Sequence, residues 1–259
     1  MKVGICTPVE NAASARAAGF EYVEDSVQGL LQGLTPDAEW SGAKRVASAD
    51  LPVPACNMLV PGSLKITGPQ ADPDALRPYM RTVLRRAGDL GVRTLVFGSG
   101  GARNVPDGFD RGQAKRQIVA FLRDAAADAR AAGVTVVVEP LNRKECNVIN
   151  SVAEAMEYVA AVDHPNVRCL LDTYHFWLEA EPLDNLKAHV RSISHVHLAD
   201  AAGRVAPGLS GTADYKPVFR ILKDAGYDGL VSFEGSPIPE FAKTAPTVVE
   251  YVKRQWAEA

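Results

Sequence analysis

Apolar and polar positions alternate between two patterns from one end of the chain to the other. Short apolar runs, typical of buried strands, are separated by longer stretches whose apolar residues recur at helical spacing. Eight runs predict strands, at residues 2–6, 21–26, 53–59, 93–98, 134–139, 167–172, 193–198 and 229–234. Eight intervening stretches predict helices, near residues 11–18, 36–47, 73–90, 111–132, 151–162, 183–190, 215–225 and 240–256.

Several predicted helices begin and end on residues with the chemistry of helix caps. Ser151 precedes a helix and Glu154 follows three residues later, which is the pattern of a capping box. Asp72 before Pro73 fits an N-cap followed by proline at the first helical position. Four predicted helices are followed by a glycine, as a left-handed C-terminal cap requires: Gly19, Gly91, Gly133 and Gly226.

The regular alternation of strands and helices predicts a closed (β/α)8 barrel. The chain has 259 residues, and a barrel of this type typically needs about 250. Composition does not change along the chain, so residues 1–259 are predicted to form a single domain. A doubly wound parallel sheet is the alternative. That fold usually carries a glycine-rich turn after its first strand, and Thr7-Pro8-Val9-Glu10 is not one.

Charge and cysteine content limit the kinds of partner that the chain is expected to bind and indicate its cellular compartment. The formal net charge is −3 and the pI is about 6.0, so no basic surface for nucleic acid or an anionic membrane is indicated. No run reaches the roughly 18 apolar residues of a membrane helix, and the first residues fit a strand better than a signal peptide. The four cysteines are far apart. We therefore expect free thiols and a cytoplasmic protein.

Four consecutive predicted strands, the fifth to the eighth, end in residues that bind metals. These residues are Glu139, Asp172, His197 and Glu234. Strand ends of a parallel barrel converge at one edge, and active sites of such barrels lie there. A buried carboxylate is costly unless a positive charge meets it. Three carboxylates and one imidazole suit Mn²⁺, Mg²⁺ or Co²⁺ better than a structural zinc, which prefers Cys and His.

Other residues near the strand ends leave more than one interpretation open. Any one of these four strand-end residues could instead cap a helix or pair with a neighbouring charged side chain. His195 shares a face with His197 but lies deeper, so it is predicted to pack behind the site, with direct metal ligation as the alternative. Glu24 could line the pocket. Arg103 follows Gly98-Ser99-Gly100-Gly101, which is either a loop that needs glycine for its turns or an anion-binding segment for a phosphorylated or carboxylated sugar.

The residues around these strand ends resemble a known family. The strings Glu139-Pro-Leu-Asn-Arg-Lys-Glu145, Asp172-Thr-Tyr-His175, His195-Val-His197 and Ser-Phe-Glu234 are similar to those of ketose 3-epimerases. These enzymes, which include D-tagatose and D-psicose 3-epimerases, belong to the xylose-isomerase-like barrel superfamily of sugar phosphate isomerases and epimerases. Asn57-Met-Leu-Val-Pro61-Gly62 followed by Leu64-Lys65 also resembles their third-strand segment.

The resemblance implies an isomerase with one divalent cation, Mn²⁺ first and Mg²⁺ or Co²⁺ as alternatives. It implies that Glu139, Asp172, His197 and Glu234 are the metal ligands, and that Glu139 and Glu234 are also the catalytic acid and base. Glu145 and His175 would bind the substrate around C1 and C2. The family's substrate-binding arginine corresponds to Gly203 here, so Arg204 is the expected equivalent.

The implied reaction is epimerisation at C3 of a ketose or ketose phosphate through a cis-enediolate. The family also implies a homodimer or homotetramer. An aldose–ketose or hydroxypyruvate-type isomerase could use the same site and is the first alternative. A barrel that binds sugar without catalysis is the second. A DNA repair nuclease of the endonuclease IV type is disfavoured, since it would need more histidines and a basic groove.

Overall fold

Eight parallel strands close into a barrel in which each strand pairs with its sequence neighbours and β1 pairs with β8. The computed structural model describes residues 1–259. All eight predicted strands form, so the barrel prediction is confirmed and the doubly wound alternative is wrong. The strands are β1 Lys2–Cys6, β2 Tyr22–Ser26, β3 Ala55–Asn57, β4 Thr94–Phe97, β5 Thr135–Val138, β6 Val167–Asp172, β7 Ile193–Leu198 and β8 Leu230–Phe233.

The helices surround the barrel and include all eight predicted ones. They are α1 Ala12–Ala17, α2 Gly42–Ala47, α3 Pro73–Leu90, α4 Gly100–Arg103, α5 Arg111–Ala132, α6 Val152–Val162, α7 Thr173–Leu178, α8 Leu183–His189, α9 Lys216–Asp224 and α10 Phe241–Ala257. The prediction for residues 36–47 was too long, because the helix begins at Gly42. The short α4 and α7 were not predicted. None of the helices is long and apolar enough to cross a membrane.

Helix caps follow the predicted chemistry, with one difference. Asp72 accepts hydrogen bonds from the backbone N–H groups of Asp74 and Ala75, and Ser151 accepts from that of Glu154. The Glu154 carboxylate, however, accepts from Ile149 and Asn150 rather than from Ser151. The start of α6 is therefore fixed by a wider version of the predicted capping box.

Alternate residues of each strand divide between two cores. The larger core lies between the strands and the helices. Inside the barrel, three side chains of β4, β5 and β6 form a separate apolar cluster. We call this cluster the apolar layer, and it consists of Val96, Val137 and Leu170.

The inward faces of β5 and β6 also lead to predicted site residues. Glu139 follows Val137 by two positions, and Asp172 follows Leu170 by two, so each pair points to the same side of its strand. The apolar layer therefore lies one level below these carboxylates, and the site opens at the carboxyl ends of the strands.

Candidate metal centre

The four predicted metal-binding side chains meet at the carboxyl end of the barrel. Glu139 and Glu234 directly follow β5 and β8, Asp172 is the last residue of β6, and His197 lies near the end of β7. One ligand atom of each lies within 4.8 Å of the others. The structure thus brings the whole predicted set together, while its role as a ligand set stays a prediction.

His197 lies at the centre of this cluster. Its Nδ1 atom is 3.1 Å from Oε1 of Glu139, 3.5 Å from Oε2 of Glu234 and 4.0 Å from Oδ2 of Asp172. The side chain is fully buried. Burial opposes the charged form, but Glu24 and Glu234 raise the pKa of His197 well above its usual value. One nitrogen thus faces three carboxylate oxygens.

Asp172 supplies the clearest indication that a cation belongs here. Its Oδ1 atom accepts hydrogen bonds from the backbone N–H groups of Tyr174 and His175 at the start of α7. Its Oδ2 atom is buried and has no hydrogen-bond partner. A buried carboxylate oxygen without a partner is costly. Three carboxylates and one imidazole form a donor set that fits Mn²⁺, Mg²⁺ or Co²⁺.

The carboxylates do not share one electrostatic environment. Burial raises the pKa of Asp172 well above its usual value, and the charges of Glu139 and Glu234 raise it further. Burial also raises the pKa of Glu139. For Glu234 burial acts in the same direction, but the charges of His197 and Arg204 lower its pKa to about 2. A cation would relieve the repulsion among these groups.

The predicted substrate-binding residues surround the cluster on its open side. Nη2 of Arg204 is 2.8 Å from Oε2 of Glu234, and Nη1 is 3.5 Å from Oε1 of Glu145. The guanidinium carbon lies 4.7 Å from the centre of the Tyr174 ring. Arg204 therefore links Glu234 to Glu145, although it lies one position beyond that expected from the family.

His175 presents a hydrogen-bond donor to the same space. Its Nδ1 atom accepts from the backbone N–H of Asn142 at 3.1 Å, so the ring proton of the neutral form is on Nε2. Nε2 is buried without a partner, 3.8 Å from Asp172 and 4.0 Å from Glu145. Burial lowers the pKa of His175 to about 3. A neutral imidazole with a free N–H can donate to a substrate oxygen.

A second group of buried polar side chains lies below His197 and Glu234. Glu24 is fully buried, and its carboxylate contacts the two histidines of β7 and the hydroxyl of Ser232, which in turn contacts the Tyr22 hydroxyl. Although burial opposes ionisation, His197 and His195 hold the pKa of Glu24 well below its usual range. We call this group the polar layer, and it consists of Tyr22, Glu24, His195 and Ser232.

The polar layer answers two questions left open by the sequence. His195 does pack behind the site, as predicted, because its Nε2 bonds to Glu24 at 2.7 Å. Glu24 reaches Nε2 of His197, on the side of the ring opposite the three carboxylates, rather than the open pocket. The pocket wall at β3 is Asn57, whose amide donates to Oε1 of Glu234 at 2.9 Å.

Arg103 does not lie in an anion-binding loop. The glycine-rich segment contains the single-turn helix α4, and Arg103 is fully buried. Its guanidinium donates to the backbone carbonyl oxygens of Phe97 and Glu139, both at 2.7 Å. These two bonds join the ends of β4 and β5. Arg103 therefore supports the backbone that carries Glu139.

Some residues of the site were not identified from the sequence. Tyr22 and Ser232 complete the polar layer, and Tyr174 stacks on Arg204. Glycine at position 98 leaves room for the Glu139 carboxylate, since a Cβ atom there would lie 2.2 Å from Oε2 of that side chain. Strand alternation could have indicated Ser232, two residues before Glu234, but no local pattern in the sequence predicts the contacts of Tyr174 or Gly98.

Comparison with known proteins agrees with the barrel fold. Residues 12–253 match the family described as Xylose isomerase-like TIM barrel. The chain belongs to this family. The fold and the resemblance predicted from the strand-end motifs are thus confirmed.

Relatives within the family include several sugar epimerases. The chain is 31% identical to the L-ribulose 3-epimerase of Mesorhizobium japonicum over 232 residues, which cover 86% of this chain and 73% of that protein. It is 34% identical to the 3-dehydro-D-guloside 4-epimerase of Escherichia coli over 122 residues, 47% of this chain and 46% of the other. The alignment thus spans less than half of that relative's length.

A solved structure and a further relative are also similar to this chain. The apo structure of the E. coli 3-keto-D-glucoside 4-epimerase YcjR superimposes with a TM-score of 0.83 at 22% identity, covering 98% of this chain and 99% of that one. At this identity the likeness describes the fold alone. A Xenopus laevis protein named putative hydroxypyruvate isomerase is 26% identical over 74% of this chain and 72% of its own length. Names in the family therefore include both epimerases and isomerases.

Proposed function

We propose that this chain is a divalent-metal-dependent epimerase that acts at C3 of a ketose or ketose phosphate. The observation that carries the proposal is the cluster of Glu139, Asp172, His197 and Glu234, with a buried, partnerless oxygen on Asp172. Relatives named L-ribulose 3-epimerase and D-psicose 3-epimerase support the choice of reaction.

The four clustered side chains would hold the cation. When bound, a divalent cation would stabilise the negative charge that develops when a proton leaves the carbon beside a ketone. We propose Mn²⁺ as the ion, with Mg²⁺ and Co²⁺ as alternatives, because oxygen-rich donor sets suit all three and selectivity follows availability.

Glu139 and Glu234 are proposed as the base and the acid. Epimerisation needs one group that removes the C3 proton and another that returns a proton to the opposite face. The two carboxylates reach Nδ1 of His197 from separate strands, at 3.1 and 3.5 Å. Their surroundings also differ, since Glu234 meets Arg204 and Asn57, whereas Glu139 lies against Gly98.

His175, Glu145 and Arg204 are proposed to hold the C1–C2 end of the sugar. The free Nε2–H of His175 can donate to the substrate carbonyl, and the Glu145 carboxylate can accept from a hydroxyl. Arg204 lies between Glu145 and Glu234 and can orient both. With that end fixed, C3 would lie between the two glutamates.

The experiment that tests the proposed reaction follows deuterium from solvent into sugar. The Mn²⁺-loaded protein is incubated in D₂O with ketoses such as D-fructose, D-psicose and D-tagatose, with their phosphates and with a 3-ketoglycoside, and labelled carbons are located by NMR. A ketose 3-epimerase places deuterium at C3 and leaves C1 unlabelled. A protein treated with a chelator should label nothing.

Because relatives are named both epimerases and isomerases, an isomerase is the second candidate function. An aldose–ketose or hydroxypyruvate-type isomerase would label C1 or C2 at the chain end and leave C3 unlabelled. Exclusive exchange at C4 of the 3-ketoglycoside would instead assign the reaction named for the E. coli relative. Binding of sugar without exchange at any carbon would support the non-catalytic barrel.

Compartment and assembly belong to the same proposal. The four cysteines are unpaired, and three of them are buried, which suits a reducing cytoplasm. A homodimer or homotetramer is proposed from the family resemblance alone. Light scattering of the purified protein gives the mass in solution, and a monomeric mass would reject this part of the proposal.

A further inference from the structure

Glu24 is a buried carboxylate that lies next to the cluster of Glu139, Asp172, His197 and Glu234 but outside it. It is 1% exposed, and neither lysine nor arginine contacts it. A carboxylate so placed is costly unless several donors satisfy it. Its function must therefore be sought in the groups that it contacts.

Three donors converge on this carboxylate. Oε1 lies 3.0 Å from Nε2 of His197, while Oε2 lies 2.7 Å from Nε2 of His195 and 2.6 Å from Oγ of Ser232. The Ser232 hydroxyl donates to Glu24, and Oγ can then accept from the Tyr22 hydroxyl at 2.8 Å. The carboxylate is thus held in place by side chains of β7 and β8.

The contact with His197 decides which nitrogen of that ring is available to a cation. Because Nε2 is hydrogen-bonded to Glu24 at 3.0 Å, Nδ1 is the nitrogen whose lone pair is free to face a cation. Nδ1 is the atom that faces Glu139, Glu234 and Asp172. Carboxylates on the far nitrogen of metal-binding histidines commonly fix the tautomer and the ring orientation in this way.

We propose that Glu24 is a positioning residue that holds His197 in the Nε2–H tautomer, with the Nδ1 lone pair directed at the cation. This inference rests on the proposed metal-dependent function. Glu24 itself does not touch the ion or the substrate. His195 and Ser232 occupy Oε2, which leaves Oε1 for His197.

A second arrangement of the same atoms competes with this one. Atoms of Glu24, His195 and His197 also lie within 4.8 Å of one another and could hold an ion of their own. That ion would occupy the positions of the hydrogen-bonding protons. The positioning role therefore requires one ion per chain, and two ions per chain would overturn it.

Glu24→Gln tests the proposal with little change of shape. A glutamine amide cannot accept from both histidines and Ser232, so the tautomer of at least one ring must change. We expect Mn²⁺ affinity, measured by calorimetry, to fall about 10- to 100-fold. At saturating Mn²⁺ the KM for sugar should stay near that of the unaltered protein. Glu24→Asp, which retains the charge but shortens the reach, should lose less affinity than Glu24→Gln.

Asp25 provides a matched control on the same strand. It is also buried, but its carboxylate accepts from the backbone N–H groups of Val9 and Ser26 and does not contact either histidine. Asp25→Asn should reduce stability without changing Mn²⁺ affinity. If the Asp25 and Glu24 variants weaken Mn²⁺ binding equally, the effect is structural and the proposal fails.

The tautomer itself can be observed by NMR. In ¹⁵N-histidine-labelled protein with diamagnetic Mg²⁺ bound, the proposal requires protonated Nε2 and unprotonated Nδ1 at His197, and a smaller fraction of Glu24→Gln molecules should show this pattern at the same Mg²⁺ concentration. Should Glu24→Gln not fold, Glu24→Asp serves for both measurements. Unchanged Mn²⁺ affinity in a folded Glu24 variant would overturn the positioning role alone, whereas failure of the unaltered protein to bind any divalent ion would overturn the proposed function itself.

Discussion

The four proposed ligands lie above two different halves of the barrel interior. Below Glu139 and Asp172 lies the apolar layer, and below His197 and Glu234 lies the polar layer. Burial raises the pKa of Glu139 and of Asp172 on the apolar side. On the polar side, where burial acts in the same direction, His197 and Arg204 lower the pKa of Glu234 to about 2.

This difference predicts which carboxylates would depend most on the proposed cation. In the polar layer, three side-chain donors satisfy the Glu24 carboxylate without an ion. The apolar layer offers no such partners, so Asp172 depends on two backbone N–H groups and leaves Oδ2 unsatisfied. The cation should therefore matter most to the carboxylates above the apolar layer.

The largest effect is expected from removal of a proposed ligand in either half. Asp172→Asn or His197→Ala should weaken Mn²⁺ binding by at least about a hundredfold, since loss of outer partners of a metal site alone costs 10- to 100-fold. Calorimetry measures the affinity, and the rise of Tm with added Mn²⁺ should vanish. Asp163→Asn, at an exposed helix end, is the control. Full occupancy in both ligand variants would refute the ligand set.

The next largest effect concerns the two glutamates that stand over different layers. Glu139→Gln and Glu234→Gln keep the shape but remove the proton carrier, so turnover at saturating Mn²⁺ should fall by about a hundredfold or more. Single-turnover and steady-state rates on the sugar that exchanges deuterium provide the measurement. Near-normal turnover of one variant would mean that another group moves that proton.

The sequence predicted the apolar side of the barrel interior better than the polar side, because the strand that precedes Glu139 has the simpler alternation of residues. Glu139 ends a run of β-branched apolar residues, so both its strand and its inward direction follow from alternation. On β2 the adjacent acidic residues Glu24 and Asp25 obscure the alternation. Which of them points into the barrel depends on pairing with β1 and β3, and the sequence does not specify that pairing.

Arg103 illustrates a second limit of sequence analysis. A glycine-rich segment with an arginine fits an anion site or a turn equally well. The outcome depends on two backbone carbonyl oxygens, those of Phe97 and Glu139, that only the closed barrel brings near the guanidinium. Contacts between distant backbone atoms have no local pattern in the sequence.

A smaller effect is expected when pH is varied. A cation binds ionised carboxylates and neutral imidazole, and burial raises the pKa of Asp172 and Glu139 in the free protein. These groups hold protons to a higher pH than usual and must release them, so Mn²⁺ affinity should rise with pH, by about tenfold per pH unit for each proton displaced. Calorimetry in buffers of different ionisation enthalpy counts the protons. A Mn²⁺ affinity that does not change between pH 5 and pH 8 would contradict the raised pKa values of Asp172 and Glu139.

The apolar layer should contribute to stability alone. Val137→Ala removes two methyl groups from a fully buried side chain, and the free energy of unfolding should fall by about 2 kcal/mol. Mn²⁺ affinity should change little, because the layer makes no polar contact with the ligands. Denaturant unfolding and calorimetry on one variant give both numbers. A large loss of Mn²⁺ affinity would mean that the apolar layer also affects the metal site, which contradicts this prediction.

The smallest effect is expected at the far end of the polar layer. Tyr22→Phe removes a hydroxyl that lies 2.8 Å from Ser232 and keeps the ring that packs against Gly4. Loss of one buried hydrogen bond should lower the free energy of unfolding by about 1 kcal/mol. Mn²⁺ affinity should also fall, by less than in Glu24→Gln, since Ser232 still donates to Glu24 but is no longer polarised by a donor of its own. A drop as large as that of Glu24→Gln would show that the polar layer acts as one unit, and an unchanged affinity would limit its effect on the cation to the residues that touch His197.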